Sequence, residues 1–311
     1  MGEGIFYYNE FGAYLRGIFG CKVQKITLDG GFTCPNRDGK VGHGGCTYCN
    51  NQTFNPAYCH RHLPVRDQML EGISFFAHKY PSMRYLAYFQ AYTNTYDSLD
   101  NLKQRYEEAL SVEGCVGLVI GTRPDCMPDE ILDYLQMLAE RTFVLVEYGI
   151  ESTSDVTLKR INRGHDYACA VDAVVRTAAA GIPVGAHIIL GLPGEGREEL
   201  MRQATELSRL PLTTLKLHQL QVVKGTRMAE EYAERPADFH IFAMEDYIDT
   251  VIDYIERLNP NMVLERFASQ SPKELLIAPD WGIKNYELVD KIKKRMRERN
   301  TWQGRLYSKK D

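Results

Sequence analysis

The chain has 311 residues, 44% hydrophobic and 25% charged, and a formal net charge of −4, a composition that excludes disordered and fibrous classes and suits a globular protein with a sizeable core. No apolar run approaches the ~20 residues of a membrane-spanning helix, and eight scattered cysteines with no signal peptide do not make a secreted disulfide framework, so a cytoplasmic location is expected. The charge is uneven: residues 281–311 hold ten Lys/Arg against four acids, a tail of +6 on a remainder of −10.

Taken in chain order, the first strand-like run is 22–28, followed at once by Cys34-Pro-Asn-Arg-Asp-Gly-Lys-Val-Gly-His-Gly-Gly-Cys46-Thr-Tyr48-Cys49. A second strand, 83–90, ends in Gln90-Ala91-Tyr92-Thr93, and a third, 116–122, runs into Arg123-Pro124-Asp125-Cys126. Pro128-Asp129-Glu130 opens a helix with Ile131, Leu132, Leu135 and Leu138 on its inner face. Strand 143–150 leads into Glu151-Ser152, and a helix over 167–180 stops at Gly181-Ile182-Pro183. Strand 184–192 ends at Gly191-Leu192 before a helix that follows Gly194-Glu195-Gly196, and strand 214–220 carries His218 and Gln219 at its end. Several strands are nearly unbroken apolar runs, which suits parallel strands buried on both faces. Six βα units imply a barrel or an open parallel sheet, and either one binds ligands at the C-terminal strand ends. Beyond residue 222 the pattern becomes a helix over 239–258, a short strand over 263–267 and a basic helix over 286–299. Residues 1–222 are read as one core with its N-terminal segment, and 223–311 as an α-rich extension packed on it.

Cys34, Cys46 and Cys49 supply three thiolates, one fewer than a closed cluster or zinc site requires. A [4Fe–4S] cube on three cysteines leaves one iron free to chelate the amino and carboxylate groups of S-adenosylmethionine (SAM). Zinc is the competing reading, because Cys-x2-Cys is a common zinc half-site and His43, Cys59 or His60 could supply a fourth ligand. Cys59 and Cys126 could also serve as ligands or radical donors, or be packed thiols.

The order Cys, then Cys-x-aromatic-Cys, is similar to the radical SAM signature, with Tyr48 as the aromatic that packs beside adenine. The usual first gap is three residues and here it is eleven, which resembles the Elongator-like branch and in particular the YhcC/YtqA group of bacterial proteins. The stretch Gly149-Ile150-Glu151-Ser152, with Arg163-Gly164-His165 downstream, resembles that branch's Gly-hydrophobic-Gln-Ser and Arg-Gly-His, with Glu151 in place of glutamine. The resemblance implies that Glu151 contacts SAM and that Arg163 pairs with its carboxylate through a guanidinium fork. The family's Gly-Gly-Glu is missing, which leaves Gln90 and the 91–93 backbone to hold the SAM ammonium. Thr122-Arg123-Pro124-Asp125 resembles an Elongator-like run at the same level, where Arg123 lines the substrate side or pairs with Asp125 or Glu147. Gly191 and Leu192 match the final adenine-contacting strand.

The resemblance implies a six-stranded partial (β/α)6 barrel of the radical SAM type, with a [4Fe–4S] cluster and SAM as cofactors and a flavodoxin- or ferredoxin-type reductase as electron donor. The substrate expected from the Elongator-like branch is tRNA, modified by a transferase reaction at carbon 5 of the wobble uridine, and the basic tail would add phosphate affinity. His218 stands where substrate would lie. Two other readings are radical modification of a small metabolite or protein side chain, and a zinc-stabilised RNA-binding protein without catalysis.

Overall fold

The apolar runs become parallel strands because each is covered on both sides. In the computed structural model, which describes residues 7–53, 55–56, 58–77 and 83–308, the elements are β1 (Asn9–Glu10), α1 (Phe11–Phe19), β2 (Lys22–Leu28), α2 (Val65–Ala77), β3 (Met83–Phe89), α3 (Leu99–Leu110), β4 (Cys115–Thr122), α4 (Asp129–Ala139), β5 (Phe143–Glu151), α5 (Asp155–Arg160), α6 (Tyr167–Ala179), β6 (Val184–Leu190), α7 (Arg197–Leu207), β7 (Thr214–Gln219), β8 (Val222–Val223), α8 (Arg227–Glu234), α9 (Met244–Ile255), β9 (Val263–Arg266), β10 (Leu276–Ala278) and α10 (Asn285–Glu298). On β3, Ala87 and Phe89 join the main core, which helices α2, α3, α4 and α6 share with β2–β6. Its alternate residues Leu86 and Tyr88 pack instead with Leu15 of α1. That alternation buries both faces and erases the polar half of the usual strand pattern.

The parallel sheet has eight strands, in the order β1-β9-β7-β6-β5-β4-β3-β2. The six expected from sequence are all present, and the expected count of six is corrected by β1 and β9. These two have two and four residues, too short for periodicity to declare which sheet they join. Strand β9, expected as part of the extension, pairs parallel to β7. The sheet curls: Lys25 on edge strand β2 reaches Glu265 on β9 at 2.7 Å, and α1 packs on both strands. Among the described residues, no helix is long and apolar enough to cross a membrane.

Inside the curl lies an ionic cluster. Glu147 of β5, 1% exposed, accepts from Lys25 Nζ at 2.6 Å, Lys216 Nζ at 2.5 Å and His187 Nε2 at 3.0 Å. Burial pushes the Glu147 carboxyl up, but Lys216, Lys25 and His187 outweigh it and hold it well below the ordinary carboxylate range.

The basic tail differs from the expected phosphate array. Leu288, Ile292 and Met296 bury one face of α10 in the main core, which presents its arginines to the acids of α9. Arg295 pairs with Asp249 and Glu245 at 2.6 Å, Arg299 with Asp253 and Glu256, and Lys293 with Glu10 at 2.6 Å. Much of the tail's charge is therefore compensated within the fold. Lys309 and Lys310 lie outside the described residues.

Candidate functional site

The ends of the central strands converge on one cavity, and the loop that follows β2 forms its rim. The eleven-residue spacer between Cys34 and Cys46 does not carry the two apart, because it folds back on itself. Arg37 N and Asp38 N donate to Cys34 O, an isolated antiparallel bridge joins Asp38 to His43, and Gly45 N donates to Asn36 O. Gly39, Gly44 and Gly45 take the left-handed conformations that this small hairpin needs. Cys49 N then donates to Cys46 O at 3.0 Å, a tight turn that brings the pair together.

Cys34, Cys46 and Cys49 all line the cavity, together with Tyr48, Gln90, Glu151 and Arg163. Gly191 and Leu192 are not among its lining residues. A Cβ on Gly191, at φ +89°, would stand 2.8 Å from the Phe242 ring, so this glycine serves a close approach within the protein. Leu192 is buried beside Leu158, Ile161 and Leu220.

Arg163 is 6% exposed, not the solvated helix-terminal residue that its sequence context equally allows. It donates to Gly149 O, stands 3.4 Å from Cys46 Sγ through Nη1, and lies 3.7 Å from Glu151 Oε1. A Cβ on Gly149 would meet both Glu151 and Arg163 within 2.7 Å, so only glycine lets the pair lie against the strand. A register shift between β5 and β6 falls between Gly149 and Glu151, and Glu151 has φ +71°. The irregularity turns Glu151 into the cavity while Ile150 stays fully buried. Tyr92, another lining residue, has φ +65°. Strained backbone of this kind costs about 1–3 kcal/mol per residue and tends to gather at functional sites.

Arg123 also lines the cavity, and of its two expected partners it takes Asp125, in a bidentate pair at 2.8 and 2.9 Å. It donates as well to Arg163 O at 2.9 Å, bracing the second arginine. Burial, then the neighbouring Cys46, pushes the Cys49 thiol up to about 11, and a metal would displace its proton. The other cysteines weighed from sequence are packed: Cys59 Sγ donates to Gln68 Oε1 at 3.3 Å, and burial pushes the Cys126 thiol up to about 12.

The donor set is three soft thiols, the ligand type of iron–sulfur clusters and of zinc. Three thiols around a cavity, with the Arg163 guanidinium beside Cys46 and the Glu151 carboxylate next to it, suit a multi-iron cluster with a zwitterionic ligand beside it. Glu147 and His187 also line this cavity and were missed from sequence. The available signal was a charged residue inside an apolar strand, as in Val144-Leu145-Val146-Glu147-Tyr148.

Glu195, after β6, is 5% exposed and accepts from the Ser152 hydroxyl. Burial pushes its carboxyl up to about 7, more than the Ser152 bond lowers it. The native state then holds the proton more tightly than the unfolded chain, so stability falls as pH rises from about 4.3 toward 7. Glu195→Gln is expected to raise the melting temperature by several degrees at about pH 8 and by little at about pH 5. An equal gain at both, in parallel thermal melts, would refute the assignment.

Two family models match the chain: one described as the Radical SAM superfamily over residues 36–205, and one described as the Radical_SAM C-terminal domain over 212–298. YtqA of Bacillus subtilis is 37% identical over 302 residues, covering 97% of this chain and 93% of its own length. YhcC of Escherichia coli K12 is 38% identical over 274 residues, 88% and 87% of the two chains. A tRNA uridine(34) acetyltransferase of Methanocaldococcus infernus is 28% identical over 190 residues, 60% of this chain but 34% of that protein. Among solved structures, an N-terminally truncated M. infernus Elp3 shares the fold, with a TM-score of 0.68 at 16% identity over 90% of this chain and 64% of that one.

Proposed function

This chain belongs to the radical SAM superfamily, whose cofactors are a [4Fe–4S] cluster and SAM, and on that premise we propose that Cys34, Cys46 and Cys49 are the cluster ligands and that the enzyme modifies tRNA at carbon 5 of a wobble-position uridine. The observation that carries the site assignment is the meeting of three thiols, Arg163 and Glu151 in one cavity at the strand ends. When bound, the cluster supplies the electron that splits the sulfonium bond of SAM and releases a 5′-deoxyadenosyl radical. The protein's own residues bind and orient. Arg163 would pair with the SAM carboxylate, Glu151 with its ammonium or ribose, and Gln90 would contribute a further polar contact. Tyr48 would offer a flat face beside the adenine. A flavodoxin- or ferredoxin-type protein would deliver the electron.

The tRNA substrate is supported by the similarity to the tRNA uridine(34) acetyltransferase, which extends over about a third of that protein, so the proposal covers the radical step and not acetyl transfer. The paired arginines of α10 favour a second reading, a small metabolite or protein side chain, because they remove a free phosphate-binding array. Nucleoside mass spectrometry of tRNA from a deletion strain decides: loss of one modified uridine supports the first reading, and an unchanged profile supports the second.

Arg163→Ala is expected to weaken SAM binding ~10- to 100-fold, the worth of a charge-assisted bidentate contact. Arg163→Lys should recover only part, since lysine keeps the charge and loses the fork. Equilibrium dialysis on reconstituted protein measures both, and an unchanged dissociation constant would leave Arg163 a structural residue that braces Gly149.

A further inference from the structure

On one side the thiol cavity is bounded by a wall one residue thick. Cys49, Arg37, Asn51 and Tyr92 line that cavity and also a wider cleft of about 730 Å³, whose other walls include Pro56, His60, Arg61, His62 and Gly225. Of the three cavity thiols, it is Cys49 that borders this cleft. Electron transfer falls off steeply with distance, so a carrier seated in the cleft would reach a cluster on Cys49 by a short path.

The cleft is basic. Residues 39–66 contain no Asp or Glu, in a chain whose net charge is −4. Arg61 is exposed and fixed in place: its Nη2 donates to Gly31 O at 3.0 Å, and its guanidinium lies 5.9 Å from the Tyr92 ring centre. Asn50 Nδ2 donates to Lys224 O at 3.0 Å, which brings the exposed Lys224 to the same rim. Among the described residues, neither Arg61 nor Lys224 has an acidic partner, in contrast to the arginines of α10. Asp29, the acid that lines the cleft, is 4% exposed and accepts from Gly31 N at 2.9 Å and Asn55 Nδ2 at 3.0 Å.

We propose that this cleft is the docking surface for the electron carrier, a small protein with an acidic face around its redox group, and that Arg61 and Lys224 bind the carrier's carboxylates. The proposal rests on the cluster reading above. The step forms and breaks no bond: the reduced carrier loses one electron and the cluster gains it. Transient redox encounters bury little surface and depend on complementary charge for their rate. An open cleft with unpaired basic groups on its rim suits such an encounter.

A nucleic-acid strand fits the cleft less well. Single strands gain much of their affinity from bases stacked on aromatic faces. Among the described residues, Tyr92 is the one Phe, Tyr or Trp that lines the cleft, and Arg61 already lies over its ring.

The test is a titration of reconstituted protein with oxidised flavodoxin, joined to 5′-deoxyadenosine yield under two reductants: reduced flavodoxin, which must dock, and dithionite, which need not. Arg61→Glu and Lys224→Glu are each expected to weaken flavodoxin binding about 5- to 10-fold at low ionic strength, with the difference shrinking as salt is added. Flavodoxin-driven yield should fall with the affinity, and dithionite-driven yield should hold. Arg61→Lys should bind as wild type does. So should Arg209→Glu, an exposed charge reversal between α7 and β7, at the end of the sheet away from the cysteines. Wild-type affinity in both glutamate variants, or an equal loss in Arg209→Glu, would overturn the proposal. A parallel fall of both under dithionite would show damage to the cysteine loop and overturn it too. Weaker binding of an anticodon stem–loop RNA, with flavodoxin binding unchanged, would give the cleft to RNA instead. Flavodoxin binding that responds to both substitutions, in a wild type that makes no 5′-deoxyadenosine with dithionite, would support the docking surface and overturn the cluster reading.

Discussion

Replacement of any one of Cys34, Cys46 or Cys49 by alanine is expected to reduce 5′-deoxyadenosine formation from SAM to background while leaving a folded protein. In the proposed ligand set each thiolate would hold one iron, and a cube short of one ligand could not both bind SAM and deliver an electron to it. The structural cost is small by comparison. Cys34 and Cys49 are half-buried, and Cys46 Sγ only accepts weak contacts from Asn36 at 3.6 Å and Arg163 at 3.4 Å. The controls are Cys59→Ala and Cys126→Ala, buried thiols outside the lining of the cavity. They should keep the iron and the product yield, and lose about 1–2 kcal/mol of stability through packing. Iron content, visible absorption and product yield separate the two groups. A wild-type yield from any one of the first three variants would remove that cysteine from the ligand set.

The largest stability effect is expected at Glu147. Glu147→Ala leaves Lys216, 2% exposed, and Lys25 facing each other inside the sheet with only Glu265 to share. Breaking a buried ion pair from one side costs about 3–5 kcal/mol, because the surviving charge is left desolvated. Removing both sides together, as in Glu147→Leu with Lys216→Met, should cost less than the single change. Urea unfolding of the three proteins measures this, and a single-variant loss below about 1 kcal/mol would show that water reaches the cluster. The pH dependence has a definite sign. The folded carboxyl is held below its unfolded value by its lysines, so its contribution is full above about pH 4.3 and is lost as pH falls through the depressed folded value. Glu195 has the opposite sign, since its folded value of about 7 is raised. The two residues should therefore shift the stability profile in opposite directions.

Much of the fold was legible because apolar runs and helix stops report local physics. The six central strands needed no tertiary knowledge: a run such as Val116–Ile120 has few alternatives once Gly121 and Pro124 bound it. The cysteine triplet stood out in the sequence as a soft ligand set, which by itself left a cluster and zinc both open. Membership of eight strands in one sheet was not legible, because β1 and β9 are short and gain their place only by pairing, β9 with β7 and β1 with β9. The basic tail shows the converse. A count of lysines and arginines cannot tell a free array from one stapled to an acidic helix, and the apolar face Leu288-Ile292-Met296 decides which side meets α9.

The sequence by itself carried the resemblance to the radical SAM superfamily, through three cysteines, an aromatic and an arginine in a recognisable order, along with the parallel α/β architecture. Only the tertiary structure decided that Arg163 is buried against Gly149 and that the long cysteine spacer closes as a hairpin. It alone brought Glu147, His187 and His218 from three different strands to one wall. The physical reason is range: hydrogen bonding within a turn and periodic burial are encoded over a few residues, whereas a site between strands depends on side chains as far apart in sequence as Cys46 and Arg163 meeting once the sheet has curled.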